Sequence, residues 1–520
     1  MIKSFRISNF KSFGSLQSAR LAPLTLIYGQ NSSGKSSIIQ SLLLLKQSID
    51  PDYNRTSRLV FRGDLIDLGS YISCVHSHEP KRNLLLGFDI DRHRRSNSSA
   101  RRGRFMGPTR PFSVDLEFEG VKQLGTKARK LTASKLVRED IRLAPANSKR
   151  TFSGALPSLY LSLVADKEFQ PKVGIGQAFI SDPDSVFRIA DSESIDSYAN
   201  YICARDESSR RNRQAHGKST SDSRKHLPKL DKSERTINFG EVKTMLEKGR
   251  LYQFGLLPAL FMLDDKDDFK FSARHNELQV RYGAPTMVIN GLVDVFNSLS
   301  YLGPLRTPPA RHYVISDIPG DTVGSSGEFM PGIITQRNLD KEISIWFERL
   351  KIPYRVKTTQ LGNEITGQMI TINLVDLRSK VEVGPSDVGF GIGQLLPIIV
   401  EGLVFDDRVI CVEQPEIHLH PRLQAELADF LIDTSTRKDD SNRAGNQWIV
   451  ETHSEALILR VLRRIRQGKI SPDDVSVVYV ESTEDGEAKI HDLPISQDGE
   501  FIKEWPDGFF EEDFDELFGD

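Results

Sequence analysis

The segment Gly29-Gln30-Asn31-Ser32-Ser33-Gly34-Lys35-Ser36 constrains what this chain can fold into more than any other. It fits G-x-x-x-x-G-K-[ST] without a gap. The apolar run Leu24 to Tyr28 precedes it and reads as a buried strand, and a helix over Ser36 to Gln47, carrying the leucine block Leu42 to Leu45, follows it. Strand, glycine-bounded loop and helix in that order predict an α/β core. The loop must curl so that its N–H groups converge on phosphate oxygens, and the helix N-terminus adds partial positive charge. Gly29 and Gly34 permit the curl, and Asn31, Ser33 and Ser37 accompany them as phosphate-binding candidates. Lys35 offers a cation to the outer phosphates, and the Ser36 hydroxyl suits Mg²⁺. A chance match in a turn is the competing reading, and the correct flanks argue against it. Many classes of nucleoside triphosphatase remain open at this point.

Three distal segments narrow the choice. Arg408 to Glu416 is an apolar strand ending in Glu413-Gln414-Pro415-Glu416, the form needed to deliver an acid to a metal ion. Upstream, Asp387 to Gln394 is a glycine-rich turn whose bare backbone at Gly389, Gly391 and Gly393 can approach a phosphate closely. It runs into an apolar helix over Leu395 to Val400, with Pro397 in the first turn. Trp448-Ile449-Val450 is a further strand, ending at Glu451-Thr452-His453-Ser454. The last third alternates strands and helices as a parallel sheet requires.

These residues resemble the ABC-type head of SMC- and RecF-like ATPases. The resemblance places Gly391 to Gln394 at the signature motif, His418-Leu419-His420-Pro421 at the D-loop and His453 at the switch histidine. The E-Q-P-E-x-H-L-H-P and E-T-H-S-E strings resemble stand-alone bacterial ATPases of the overcoming-lysogenization-defect group. The closing Trp505-Pro506-Asp507-Gly508-Phe509-Phe510 is similar to the ATPase subunit of Septu-type anti-phage systems, some of which accompany retrons. The resemblance implies an ABC-type head of mixed sheet and flanking helices, with a long mixed insertion and a C-terminal extension. It further implies ATP and Mg²⁺ as cofactors and a homo-oligomer in which two heads sandwich nucleotide head to tail. The expected parts are 1–70 and 291–490 for the head, 71–290 for an insertion of unassigned role, and 491–520 for an acidic, aromatic extension.

Two departures bear on catalysis. The usual signature serine is absent, with Gly391 or Gly393 in its place. The usual Asp-Glu pair at the end of the acid-bearing strand reads Glu413-Gln414. Glu413 can ligate Mg²⁺, but an amide does not accept a proton near neutral pH, so Gln414 cannot be a general base. Glu416 is the substitute, and His453 is placed to orient water or sense the terminal phosphate. Slow hydrolysis is the expectation.

The near-neutral formal charge of -2 on 520 residues gives no bulk attraction to nucleic acid or membrane. The three cysteines, Cys74, Cys203 and Cys411, lack metal-ligand spacing and fit a reducing cytoplasm. The N-terminus has no signal-peptide core, and the best apolar run, Leu395 to Phe405, is interrupted by Glu401. Asp91 to Arg104 and Arg205 to Arg235 read as exposed, mobile loops; for the first, contact with nucleic-acid phosphates is the alternative. The pattern from Asp50 to Gly291 is less regular, with short strand-like pieces such as Phe112 to Phe118 and Leu159 to Val164, and sustained heptads are absent, which disfavours a coiled-coil arm. No nuclease site of its own is evident. The resemblance makes the leading expectation an ATPase gating a separate nuclease chain in anti-phage defence. DNA repair or chromosome maintenance with direct DNA binding is the alternative, and a module holding ATP without useful hydrolysis is a third reading.

Overall fold

The computed structural model describes residues 1–49, 58–91, 111–121, 133–144, 158–165, 186–216, 239–254, 257–263, 284–314, 322–363, 367–437 and 445–506. It is a mixed α/β fold, as the motifs predict.

The sheet that positions the site is six-stranded. It comprises β3 (Leu24–Gly29), β11 (Leu299–Leu302), β16 (Val409–Glu413), β17 (Gln447–Glu451), β18 (Val475–Ser482) and β19 (Ala488–Asp492). Their spatial order is β11-β16-β17-β3-β18-β19, with every pair parallel except the last. Burial on both faces explains why β3, β16 and β17 read as unbroken apolar runs. Alternate residues feed two different cores: Val409 and Cys411 pack on one side, Ile410 and Val412 on the other.

On one side lies a nine-stranded, wholly antiparallel sheet. It is built from β1 (Ile2–Ser8), β2 (Gln17–Arg20), β4 (Leu84–Ile90), β5 (Phe112–Val121), β6 (Ala133–Leu143), β7 (Leu159–Ala165), β8 (Val186–Ile189), β9 (Gly249–Phe254) and β10 (Leu257–Leu263). The segment expected to be an irregular insertion thus extends the sheet that β1 and β2 begin. The strand period is visible in β5, where Phe112, Val114, Leu116 and Phe118 are buried. In β6 the same period is obscured because an inward position carries a carboxylate, Glu139. Helix α1 (Lys35–Ile49) fills the space between the sheets with Ile38, Ile39 and Leu42 to Leu45.

On the other side pack α2 (Phe390–Val404), α3 (Pro421–Thr436) and α4 (Glu455–Arg466), joined by a small antiparallel sheet of β12 (Tyr313–Val314), β13 (Tyr354–Asn363), β14 (Gly367–Asp376) and β15 (Glu382–Val383).

Two local expectations are corrected. Residues 205–216 are not loop but the end of a helix, Ser192–His216, which no glycine or proline interrupts. The glycine-rich turn is shorter than expected, because the helix begins at Phe390 and already contains Gly391, Gly393 and Gln394. Pro397 is therefore inside the helix, packed where a side chain at Gly327 would collide with its ring. The arginines at 92–104 and the acidic tail beyond Pro506 lie outside the described residues. Among the described residues, no helix is long and apolar enough to cross a membrane.

Candidate nucleotide and metal site

Strand register gathers the site. Glu413 ends β16 opposite Glu451 at the end of β17, and Glu451 pairs with Ile27 of β3, two residues before Gly29. The carboxyl ends of parallel strands are where α/β sheets bind ligands, because the chain departs there into loops and helix N-termini.

Gly29 and Gly34 each adopt a conformation closed to other residues, with φ of 144° and 107°. A Cβ on Gly29 would stand 2.2 Å from the Val480 carbonyl oxygen, and one on Gly34 would stand 2.3 Å from Ser12 Oγ. The loop between them is pinned by Ser33 N–H donating to Gln30 O at 3.3 Å and by Ser37 N–H donating to Gly34 O at 3.0 Å. Asn31 is exposed, and Ser33 is buried with an Oγ that has no hydrogen-bond partner among the described residues. Lys35 is buried and donates through Nζ to Gly29 O at 2.7 Å and Gln30 O at 2.5 Å. Burial holds its ammonium below the ordinary lysine value, opposed by the charges of Glu451 and Glu416.

Ser36 Oγ donates to Glu451 Oε1 at 2.9 Å, while Glu451 Oε2 is buried with no partner among the described residues. Burial raises the Glu451 carboxyl. Burial, and then the charge of Glu451, push Glu413 up to about 7, although Tyr301 OH donates to its Oε1 at 3.1 Å. Among the described residues, no three His, Cys, Asp or Glu side chains approach closely enough to hold an ion by themselves. Ser36, Glu413 and Glu451 nevertheless form an all-oxygen donor set with an orphaned carboxylate oxygen. This suits Mg²⁺, which keeps several waters and takes one or two carboxylates plus substrate phosphates. Glu451 is the residue that motif reading missed; its signal was a carboxylate closing an apolar strand, as in Glu413.

Gln414 lies in the left-handed region, φ 45°, and its N–H donates to Glu451 O at 2.7 Å, so the chain turns sharply there. Glu416 lies beyond the turn. Thr452 Oγ1 donates to its Oε2 and the His453 N–H to its Oε1, both at 2.7 Å. Burial raises this carboxyl as well. His453 is half-buried, and burial together with the charge of Lys35 holds its imidazole below the ordinary value.

The residues expected to face a second head lie on the first turn of α2 and its neighbours. Gly389 caps the helix in open space. A Cβ on Gly391 would stand 2.6 Å from His418 O, and one on Gly393 would stand 2.3 Å from Pro309 Cγ. Gln394 is buried and donates to Arg306 O at 3.3 Å. His418 is exposed in the left-handed region, and His420 caps α3, its Nδ1 accepting from Arg422 N at 3.2 Å.

Residues 24–460 match the family described as "AAA domain, putative AbiEii toxin, Type IV TA system". Residues 470–518 match a second family, a protein of unknown function, DUF3696. A comparison with curated proteins returns no match. Among solved structures, the SMC head domain from Thermotoga maritima is 10% identical with a TM-score of 0.35, covering 95% of this chain and 99% of that one. The Smc head domain with a coiled coil and joint from Pyrococcus yayanosii is 12% identical with a TM-score of 0.36, covering 95% and 97% respectively. These overlaps are loose, and the assignment rests on the sequence match together with the phosphate loop and carboxylates described above. The chain belongs to the AAA-domain family of that description.

Proposed function

We propose that this chain binds ATP with Mg²⁺ and hydrolyses it slowly, and that its nucleotide state gates a separate nuclease chain in bacterial anti-phage defence, in the cytoplasm. The observation that carries the reading is the meeting of the Gly29–Ser37 loop with Glu413, Glu451 and Glu416 at the carboxyl ends of the parallel strands. Lys35 and the loop N–H groups would hold the outer phosphates. Ser36, Glu413 and Glu451 would hold Mg²⁺, which when bound neutralises charge on the phosphate oxygens.

For hydrolysis, water oxygen bonds to the γ-phosphorus while the bond from that phosphorus to the β,γ-bridging oxygen breaks. The electron pair of that bond leaves with ADP, and the proton of the attacking water passes to Glu416. Gln414 cannot take it. Glu416 carries the role because it is held by Thr452 and His453 beside the loop, with His453 sensing the phosphate. Two heads related by two-fold symmetry would each offer the α2 N-terminus, with Gly389, Gly391, Gly393 and Gln394, to nucleotide on the other. We also propose the four-part division at 1–70, 71–290, 291–490 and 491–520, with the Septu-like, retron-associated subunit as the nearest kind.

The test is to purify the tagged chain with ATP from its host and identify what accompanies it. A small nuclease retained by the wild type and lost in Lys35→Ala supports the reading. Recovery of DNA and repair factors without such a chain overturns it.

A further inference from the structure

Arg306 stands out among groups to which the reading above gives no role. It follows β11, which lies beside the acid-bearing strand β16. Its neighbour Leu305 is 81% exposed, yet Arg306 itself is only 4% exposed, so the chain turns the guanidinium into the protein. The turn is fixed from several sides. Gly303 N–H donates to Ser325 O at 2.8 Å, Thr307 N–H to Ser326 O at 2.9 Å, and Gln394 Nε2 to Arg306 O at 3.3 Å.

One guanidinium nitrogen, Nη2, donates to Glu413 O at 2.9 Å. Nε and Nη1 are buried and have no hydrogen-bond partner among the described residues. The charges of Glu416 and Glu413 favour the guanidinium from nearby, but their hydrogen bonds come from other donors: Glu416 accepts from Thr452 and His453, and Glu413 Oε1 accepts from Tyr301. A guanidinium keeps its charge in any environment, and burying it with idle donors is costly unless an anion completes it. Its fork matches the oxygens of a phosphate group.

We propose that Arg306 is a phosphate-binding residue of this site, whose free N–H groups take the terminal phosphate of the nucleotide held on the Gly29–Ser37 loop. The inference rests on the ATP-binding reading above. Because Gln394 grips the Arg306 carbonyl, occupancy of Arg306 also bears on the first turn of α2.

The experiment compares wild type, Lys35→Ala, Arg306→Lys and Arg306→Gln by displacement of a fluorescent nucleotide with MgATP, MgADP and MgADP plus aluminium fluoride, and by melting temperature without nucleotide. Wild type is expected to prefer MgATP and the fluoride complex over MgADP. Both Arg306 variants are expected to bind MgADP within about twofold of wild type while losing roughly tenfold or more for the other two, the loss expected of charge-assisted hydrogen bonds. An unchanged ATP-to-ADP preference, with or without a lower melting temperature, overturns the proposal and leaves Arg306 a structural pin of β16. MgATP binding that survives Lys35→Ala overturns the underlying loop assignment instead.

Discussion

Ser36 Oγ and Glu451 Oε1 lie 2.9 Å apart although 415 positions separate them in the chain. The bond joins the phosphate loop to the end of β17, so the hydroxyl suited to Mg²⁺ and a carboxylate with one idle oxygen already face each other.

That pairing predicts the outcome of Glu451→Gln. The amide keeps an acceptor for Ser36 but removes an anionic ligand. Nucleotide binding measured across a Mg²⁺ titration should need roughly 10–100-fold more Mg²⁺ than wild type, the range seen when metal-site support is lost. An unchanged Mg²⁺ requirement would remove Glu451 from the metal site.

Turnover should follow Glu416 rather than Gln414. Glu416→Gln is expected to slow steady-state phosphate release by about 10²–10⁴-fold while sparing MgATP binding, since a general base contributes on that scale. Gln414→Glu should leave the rate the same or raise it, because it adds a carboxylate at the turn. A Glu416→Gln variant as fast as wild type would show that the proton goes elsewhere.

Stability should depend on pH through Glu139. This residue is 0% exposed on β6, opposite Leu116 and Leu163, and neither carboxylate oxygen has a hydrogen-bond partner among the described residues. Burial, and then the neighbouring charge of Asp140, push its carboxyl from 4.5 up to about 8. Above the lower value the unfolded chain releases a proton that the folded chain retains, so stability falls as pH rises towards the upper value. Glu139→Leu should abolish that part of the fall, raising the free energy of urea unfolding more at pH 8 than at pH 5, a difference on the order of a few kcal/mol. Equal gains at both pH values would refute the assignment.

The C-terminal segment should report on nucleotide. Trp505 meets Phe501, Tyr28 and Tyr479 edge-on, with ring centroids 5.1, 5.4 and 5.8 Å away. Tyr28 immediately precedes Gly29, and its OH donates to Ser454 O at 2.9 Å. MgATP should therefore change the intrinsic tryptophan emission, and Trp505→Phe should remove the change. Trp505→Ala should cost about 2 kcal/mol in urea unfolding, as for a partly buried aromatic. An emission change that persists in Trp505→Phe would place the reporter at Trp346 or Trp448.

What the sequence by itself determined was local. Leu24 to Ser37 encodes strand, loop and helix through contiguous residues, because glycine conformation and apolar runs act over a few positions. The strands carrying Glu413 and Glu451 were legible for the same reason, as was the inability of Gln414 to act as a base. What only the tertiary structure decided is which of these ends lie side by side. Register between β16, β17 and β3 pairs Glu413 with Glu451 and brings Glu451 to Ser36, and no local pattern encodes a contact across 415 positions. The nine-stranded sheet was likewise hidden, because its strands are separated by long polar segments and one of them buries Glu139 where alternation calls for an apolar residue. For Arg306, after the Gly303-Pro304 turn, the sequence left contact with nucleotide and support of the head equally open, and only the turn after β11 showed its charge enclosed, with two donors idle beside the acids.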